Sequence, residues 1–413
     1  MRDTSRDGLR NKVEFTLLTR FRPLWSFINR SPALMRPCNK LFVNNAVLKA
    51  PVRPLALSTA AAYTSWPSLN DRTWFGRYLP PRPAVGLPSL DDVEELFKVG
   101  EGGPRASDRS TLLFPAFAQW FTDGFLMTED GDRRRTRTNH QIDLSQLYGL
   151  TPEVTQALRL RSPAYGERGR LKSAVAGGEE WAPRLYGDAG HVAPEFAALP
   201  KPLRLPDAWP AEKQAALFAF GGERANATPF TAMINTLFLR EHNRLSGMLE
   251  TAHPGWDDDR VFETARNINI VQLINVVIAE YINHISPYWF RVTGDPTACY
   301  RATWNRQSWI PIEFNLLYRW HSLVPEQVSW DGEAVPVTDM LLDNRRLLRA
   351  GLADSFANAT RTKAQRIGLF NTSAFLLPAE RASVAQGRVN HLASYNDYRQ
   401  AMRYPRVTRV DLR

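Results

Sequence analysis

The chain has 413 residues, of which 44% are apolar, 23% charged and 11% aromatic; that apolar content can bury a sizeable core and excludes a disordered chain. Its 24 Gly and 29 Pro follow no period, which excludes collagen-like and repeat architectures. Two cysteines, Cys38 and Cys299, cannot build a disulfide framework and neither sits in a CxxC, so a reducing, cytoplasmic setting is expected.

The net charge of +10 is uneven. Residues 1–50 hold ten Lys or Arg against Asp3, Asp7 and Glu14, a surplus of +7, and leave only +3 for the rest. Phe15, Leu17, Phe21, Leu24, Trp25, Phe27 and Leu34 lie among these charges, and Pro23, Pro32 and Pro37 break the run. The pattern predicts short amphipathic helices on an anionic membrane surface, with a basic arm packed on its own domain as the alternative. A nucleic-acid partner is not expected. No apolar core of signal-peptide length follows the basic start. The most apolar stretch, Ile268 to Ile285, is interrupted by Asn269, Gln272, Asn275, Glu280, Asn283 and His284 and is not read as a membrane span.

Residues 51–105 are Pro-rich and read as an extended wrap. Helical spacing starts near Leu112, with Phe114, Phe117, Phe121 and Phe125 recurring every three or four residues. A basic turn (130–138), the string NHQIDLSQLYGL (139–150) and a loop-rich stretch to about 210 follow. Two long helices are predicted over Phe230–Thr251 and Asp257–Ile285, and further ones over Pro311–Leu323 and Thr338–Ala353. Strand-like alternation is scarce. The fold expected is mainly α, a single large helical domain over 51–413 behind an amphipathic segment at 1–50.

The seven histidines show no metal-ligand spacing, and HExxH, GxSxG and Walker A strings are absent, which disfavours protein-only zinc, common hydrolase and NTP-binding chemistry. A lone His is most often a satisfied core or surface residue. His321 is the exception: it lies three residues after Tyr318 in an apolar segment, so both would share one helical face. A tyrosine beside a single haem-ligating His suits radical chemistry, because a phenol can pass an electron and a proton to an oxidised haem.

Several strings in register resemble the animal-type haem peroxidase and cyclooxygenase superfamily: EFNLLYRWHSLVP (313–325), LFLREHNRLSGMLETAHPGWDDDRVFETAR (237–266), FAQWFTDGFLMT (117–128), IDLSQLYGLT (142–151) and HISPYWF (284–290). The resemblance spans roughly 40–400. It implies a mainly α haem-peroxidase-like fold, with His321 as proximal haem ligand, Gln119 as distal glutamine and Tyr318 as the tyrosine whose radical takes hydrogen from a polyunsaturated fatty acid. Tyr288 matches a tyrosine at the constriction of the substrate channel. For Gln119 and Tyr288 a buried amide and a packed aromatic remain the alternatives.

The chain departs from the family in several places. The distal histidine position is Asp123, a shorter carboxylate that serves poorly as the acid–base of a peroxidase cycle if it is ionised. Where mammalian peroxidases attach haem covalently through Glu-Met-Pro, the chain has Ala227-Thr228-Pro229, so noncovalent haem b is expected. Gly124 stands at a calcium-ligand position, and no calcium is expected there despite Asp143 and Ser145. Arg319 replaces a His and is expected on an exposed face. The segment that walls the fatty-acid channel in cyclooxygenases would lie beyond Arg413, so the domain reads as truncated. Arg53, or Lys49, is the candidate anchor for the substrate carboxylate. The activity implied is a haem-dependent fatty-acid dioxygenase using dioxygen. The alternatives are a peroxide-dependent haem peroxidase of small reductants and a degenerate haem- or lipid-binding relative.

Overall fold

The computed structural model describes residues 4–49, 59–62, 65–187, 190–305, 307–402 and 404–408. Three helices open the chain: α1 (Thr4–Arg20), α2 (Arg22–Arg30) and α3 (Pro32–Lys49). Prolines set two of their starts, Pro23 within the first turn of α2 and Pro32 at the head of α3, positions where the missing N–H costs nothing. Val13, Phe15, Phe21, Phe27 and Leu41 are all more than half exposed, and Leu41 reaches 73%. A small separate core of Leu18, Met35 and Phe290, edged by Trp25, Phe42 and Tyr288, ties the three helices to the body. Asn39 clamps the same seam, donating to Thr293 O and accepting from Thr293 N.

The stretch from 65 to 105 wraps the body irregularly, with short helices at Trp66–Asn70 and Leu90–Glu95. Helix α4 (Leu113–Asp123) follows and packs on α5 (Pro229–Ala252), the centre of the core. Thr228 starts α5 with a capping box to Thr231, and Pro229 sits in its first turn. The residues at the Glu-Met-Pro position therefore have a structural use as a helix start.

Helix α6 (Asp258–Val276) runs against α5 and continues through a π-helical turn, Val277–Ile282, to Ile285. By length and composition this continuous stretch is sufficient to cross a membrane, which the polar residues alone had argued against. One face of it packs inward: Val261, Phe262, Ala265, Asn269 and Leu273 are buried and Asn269 donates to Tyr148 Oη and Phe238 O, while only 22% of its apolar window is buried. The REHNR string builds the same junction. His242, completely buried, meets Tyr148 Oη at 2.9 Å and Gly169 O at 2.8 Å, and burial lowers its pKa to about 4, so the ring is neutral. Asn243 holds both the N–H and the carbonyl of Leu171, while Arg240 pairs with Glu179.

Helices α7 (Ile312–Leu317), α8 (Arg345–Arg361, kinked at Gly351 with φ 81° and ψ 170°) and α9 (Leu377–Val389) follow, and the helix expected over Thr338–Ala353 is instead a 3₁₀ turn, Val337–Met340, before α8. Strand content is small, as the scarce alternation predicted. The named strands form three antiparallel pairs: β1 (Ala106–Thr111) with β6 (Lys363–Gln365), β2 (Ala174–Ala176) with β3 (Glu179–Trp181), and β4 (Gln327–Trp330) with β5 (Glu333–Pro336).

Candidate haem site

Helix α4 has two working faces. Phe114, Phe117 and Phe121 lie against Tyr281 at ring separations of 5.3, 5.6 and 5.9 Å, and Phe125 stacks towards Phe314 at 6.3 Å. The other face carries Gln119 and Asp123, one turn apart. Gln119 is exposed on a helix whose neighbours Ala118 and Trp120 are buried, Trp120 by donating from Nε1 to Asn235 Oδ1 at 2.9 Å. Asp123 is buried and meets Arg224 at 3.4 Å through Oδ1, while its Oδ2 has no partner. Burial raises its pKa to about 7 against the opposing pull of Arg224, with Glu223 adding to the rise. Asp123 is thus not the simply ionised carboxylate its sequence position suggested.

The proximal segment differs from the single helix expected over Pro311–Leu323. Helix α7 stops at Leu317; Tyr318 is its C-cap with ψ of 86°, and a 3₁₀ turn begins at His321. Tyr318 and His321 therefore do not share a helical face. The i, i+3 spacing continues through the break and conceals it. Aromatic packing fixes the break, because Tyr318 stacks on Phe314 at 4.7 Å and meets Trp320 edge-on at 5.3 Å. Arg319 is half-buried rather than exposed: its Nε donates to Ser383 Oγ of α9 and its Nη1 to the Tyr318 carbonyl.

Two partners escaped the sequence reading. Tyr281 hydrogen-bonds hydroxyl to hydroxyl with Tyr318, and burial raises the pKa of both phenols, so each keeps its proton at neutral pH. The π-helical turn that carries Tyr281 is the local device that brings it there; such single turns recur at functional positions. Glu380, on the first turn of α9 and 5% exposed, places Oε1 at 3.1 Å from His321 Nδ1. Burial lowers the pKa of Arg319, with Glu380 opposing the shift and Arg224 adding to it.

These residues fit a haem. His321 Nδ1 is buried with Glu380 as its neighbour, and Nε2 makes no hydrogen bond among the described residues, leaving it available to iron. Gln119 presents an exposed amide, and Leu317 and Phe314 present exposed apolar surface close in sequence to His321 for a macrocycle to cover. Tyr288 is not in this group. It packs edge-on against Phe15 and Phe42 at 6.2 and 5.8 Å, at the seam with the front helices. Arg53 lies outside the described residues, as does the side chain of Lys49.

The animal haem peroxidase family profile matches residues 127–412, and the chain belongs to that family. It is 29% identical over 416 residues to prostaglandin G/H synthase 2 of Equus caballus, which covers 95% of this chain and 64% of that protein. Prostaglandin G/H synthase 1 of Rattus norvegicus is 31% identical over 420 residues, covering 96% and 65%. The chain thus spans just under two thirds of the length of these relatives. Among solved structures, peroxidase A of Dictyostelium discoideum matches with a TM-score of 0.62 at 18% identity, over 85% of this chain and 79% of that one. The fatty acid alpha-dioxygenase of Oryza sativa matches with 0.59 at 16% identity, over 81% and 65%. At these identities the structures bear on the fold alone, and they agree with its mainly α haem-peroxidase character.

Proposed function

We propose that this chain is a haem-dependent oxidoreductase that oxygenates a polyunsaturated fatty acid through Tyr318. The observation that carries this reading is the Tyr281–Tyr318 hydroxyl pair, placed directly before a histidine whose Nε2 is available to iron. His321 holds the haem b, noncovalently, since Ala227 and Thr228 offer neither carboxylate nor thioether. When bound, the haem supplies the one-electron oxidant for the phenol.

The protein's own residues do the rest. Tyr281 takes or returns the hydrogen bond of Tyr318 as that phenol loses and regains its hydrogen. The tyrosyl oxygen removes a bis-allylic hydrogen atom, dioxygen adds to the carbon radical, and the peroxyl oxygen takes a hydrogen atom back from Tyr318 to give the hydroperoxide. The phenylalanine face of α4 gives the tyrosine pair an apolar wall suited to an acyl chain. Tyr288, at the seam with the front helices, would line the approach, and Arg53 would hold the carboxylate.

The front helices would lie on an anionic membrane surface of the cytoplasm, as a peripheral anchor over 1–50 before the haem domain of 51–413. Their exposed apolar residues and their positive surplus support this. Haem-loaded protein given linoleate and a trace of hydroperoxide is expected to take up oxygen, and Tyr318→Phe to abolish uptake with haem still bound. Uptake that survives this change would contradict the mechanism.

A second reading, peroxidase turnover on small reductants, has one observation in its favour. A pKa of about 7 suits Asp123 to take a proton from peroxide and return it, with Arg224 beside it for the developing charge. Dye oxidation that needs Asp123 and His321 but not Tyr318 would select this reading.

A further inference from the structure

We propose that Glu380 is the electronic partner of the axial ligand. Its carboxylate accepts the Nδ1 proton of His321, gives the imidazole anionic character and so favours the more oxidised iron. This rests on the reading of His321 as the haem ligand and adds a positioning residue to it.

The geometry carries the inference. Glu380 Oε1 stands 3.1 Å from Nδ1, and Nδ1 is buried with no hydrogen bond among the described residues, so this carboxylate is the acceptor placed within its reach. Glu380 is 5% exposed, and His321 is its only ion-pair partner among the described residues. Arg319 is near, yet its guanidinium donates to Ser383 and to the Tyr318 carbonyl. A buried carboxylate without a matched cation costs free energy. Its placement is understandable if the imidazole N–H is its intended donor.

Two contacts hold it there. Helix α9 packs against α7, and Arg319 bridges the loop between Tyr318 and His321 to Ser383, one turn along α9 from Glu380. A carboxylate on the far nitrogen of a metal-bound histidine fixes its tautomer and raises its basicity. On iron, a more basic ligand stabilises Fe(III) relative to Fe(II).

The experiment uses the full chain loaded with haem. The Fe(III)/Fe(II) midpoint potential is measured by spectroelectrochemistry and the iron–histidine stretch of the ferrous form by resonance Raman. Glu380→Gln is expected to retain haem and histidine ligation, to favour reduction by about tenfold or more, roughly 59 mV for one electron, and to lower the stretching frequency. Glu380→Asp, which withdraws the carboxylate by one methylene, is expected to fall between Gln and the parent, and it serves as the test if the Gln variant does not fold. An unchanged potential and stretch in the variants that fold would overturn the proposal. His321→Ala is the separate control: if it keeps the parent's iron–histidine band, the assignment of the ligand fails, whatever Glu380 does.

Discussion

Asp123 shows how burial can alter the meaning of a substitution. At a position where relatives use histidine, an exposed aspartate would be ionised and a weak acid–base; here burial carries it to about 7 from 3.8. The folded protein therefore binds a proton at this site more readily than the unfolded chain between about pH 4 and 7, and stability falls as pH rises through that window. Arg224 opposes the shift and Glu223 adds to it, so the slope belongs to the cluster as a whole. Asp123→Asn should remove this slope, worth on the order of 2–3 kcal/mol between pH 5 and 8. Urea unfolding at the two pH values would show the variant gaining on the parent at pH 8 only; equal slopes would contradict the account. At the tyrosine pair, Tyr281→Phe removes one hydrogen bond from Tyr318. The expected cost is about 1–1.5 kcal/mol, or roughly a tenfold fall in oxygen-uptake rate, with haem occupancy unchanged.

Among the elements, those with sustained periodicity were legible in the sequence. The phenylalanine series fixed α4, and α5 and α6 start and stop within two residues of their expected bounds once the π-helical turn and the closing turn to Ile285 are counted with α6. Elements set by tertiary contact were not legible. The break after Leu317 keeps helical spacing in the sequence while Tyr318 takes a non-helical ψ to pack on Phe314 and Trp320. The π-helical turn at Val277–Ile282 leaves no composition signal, yet it carries Tyr281. Arg224 is 101 residues from Asp123, and Glu380 reaches His321 from a different helix, so no local motif announces either contact. The start of α5 offers a test at this scale. Thr228→Ala should cost about 1 kcal/mol through the lost N-cap without altering haem affinity, as read by denaturant midpoint and haem titration.

At the scale of the whole molecule, Tyr288 ties the front helices to the segment that carries Tyr281. It sits seven positions after Tyr281 along one continuous segment and packs on Phe15 of α1 and Phe42 of α3. On the proposed function, the front helices would take substrate from a membrane surface. Phe27 and Leu41, 65% and 73% exposed, are the test positions. Replacing either with Asp should weaken sedimentation with anionic vesicles by roughly tenfold or more, since burying such a side chain is worth about 1.5–3 kcal/mol. Oxygen uptake from detergent-dispersed linoleate should be retained. Unchanged vesicle binding would assign these helices another partner.

The most direct measurement is oxygen uptake by the haem-loaded chain and its Tyr318→Phe variant, with linoleate and a trace of hydroperoxide. The account predicts uptake by the parent, with none by the variant at equal haem occupancy. Uptake by both would contradict a tyrosyl radical at Tyr318, and uptake by neither, with haem bound, would contradict the dioxygenase assignment itself.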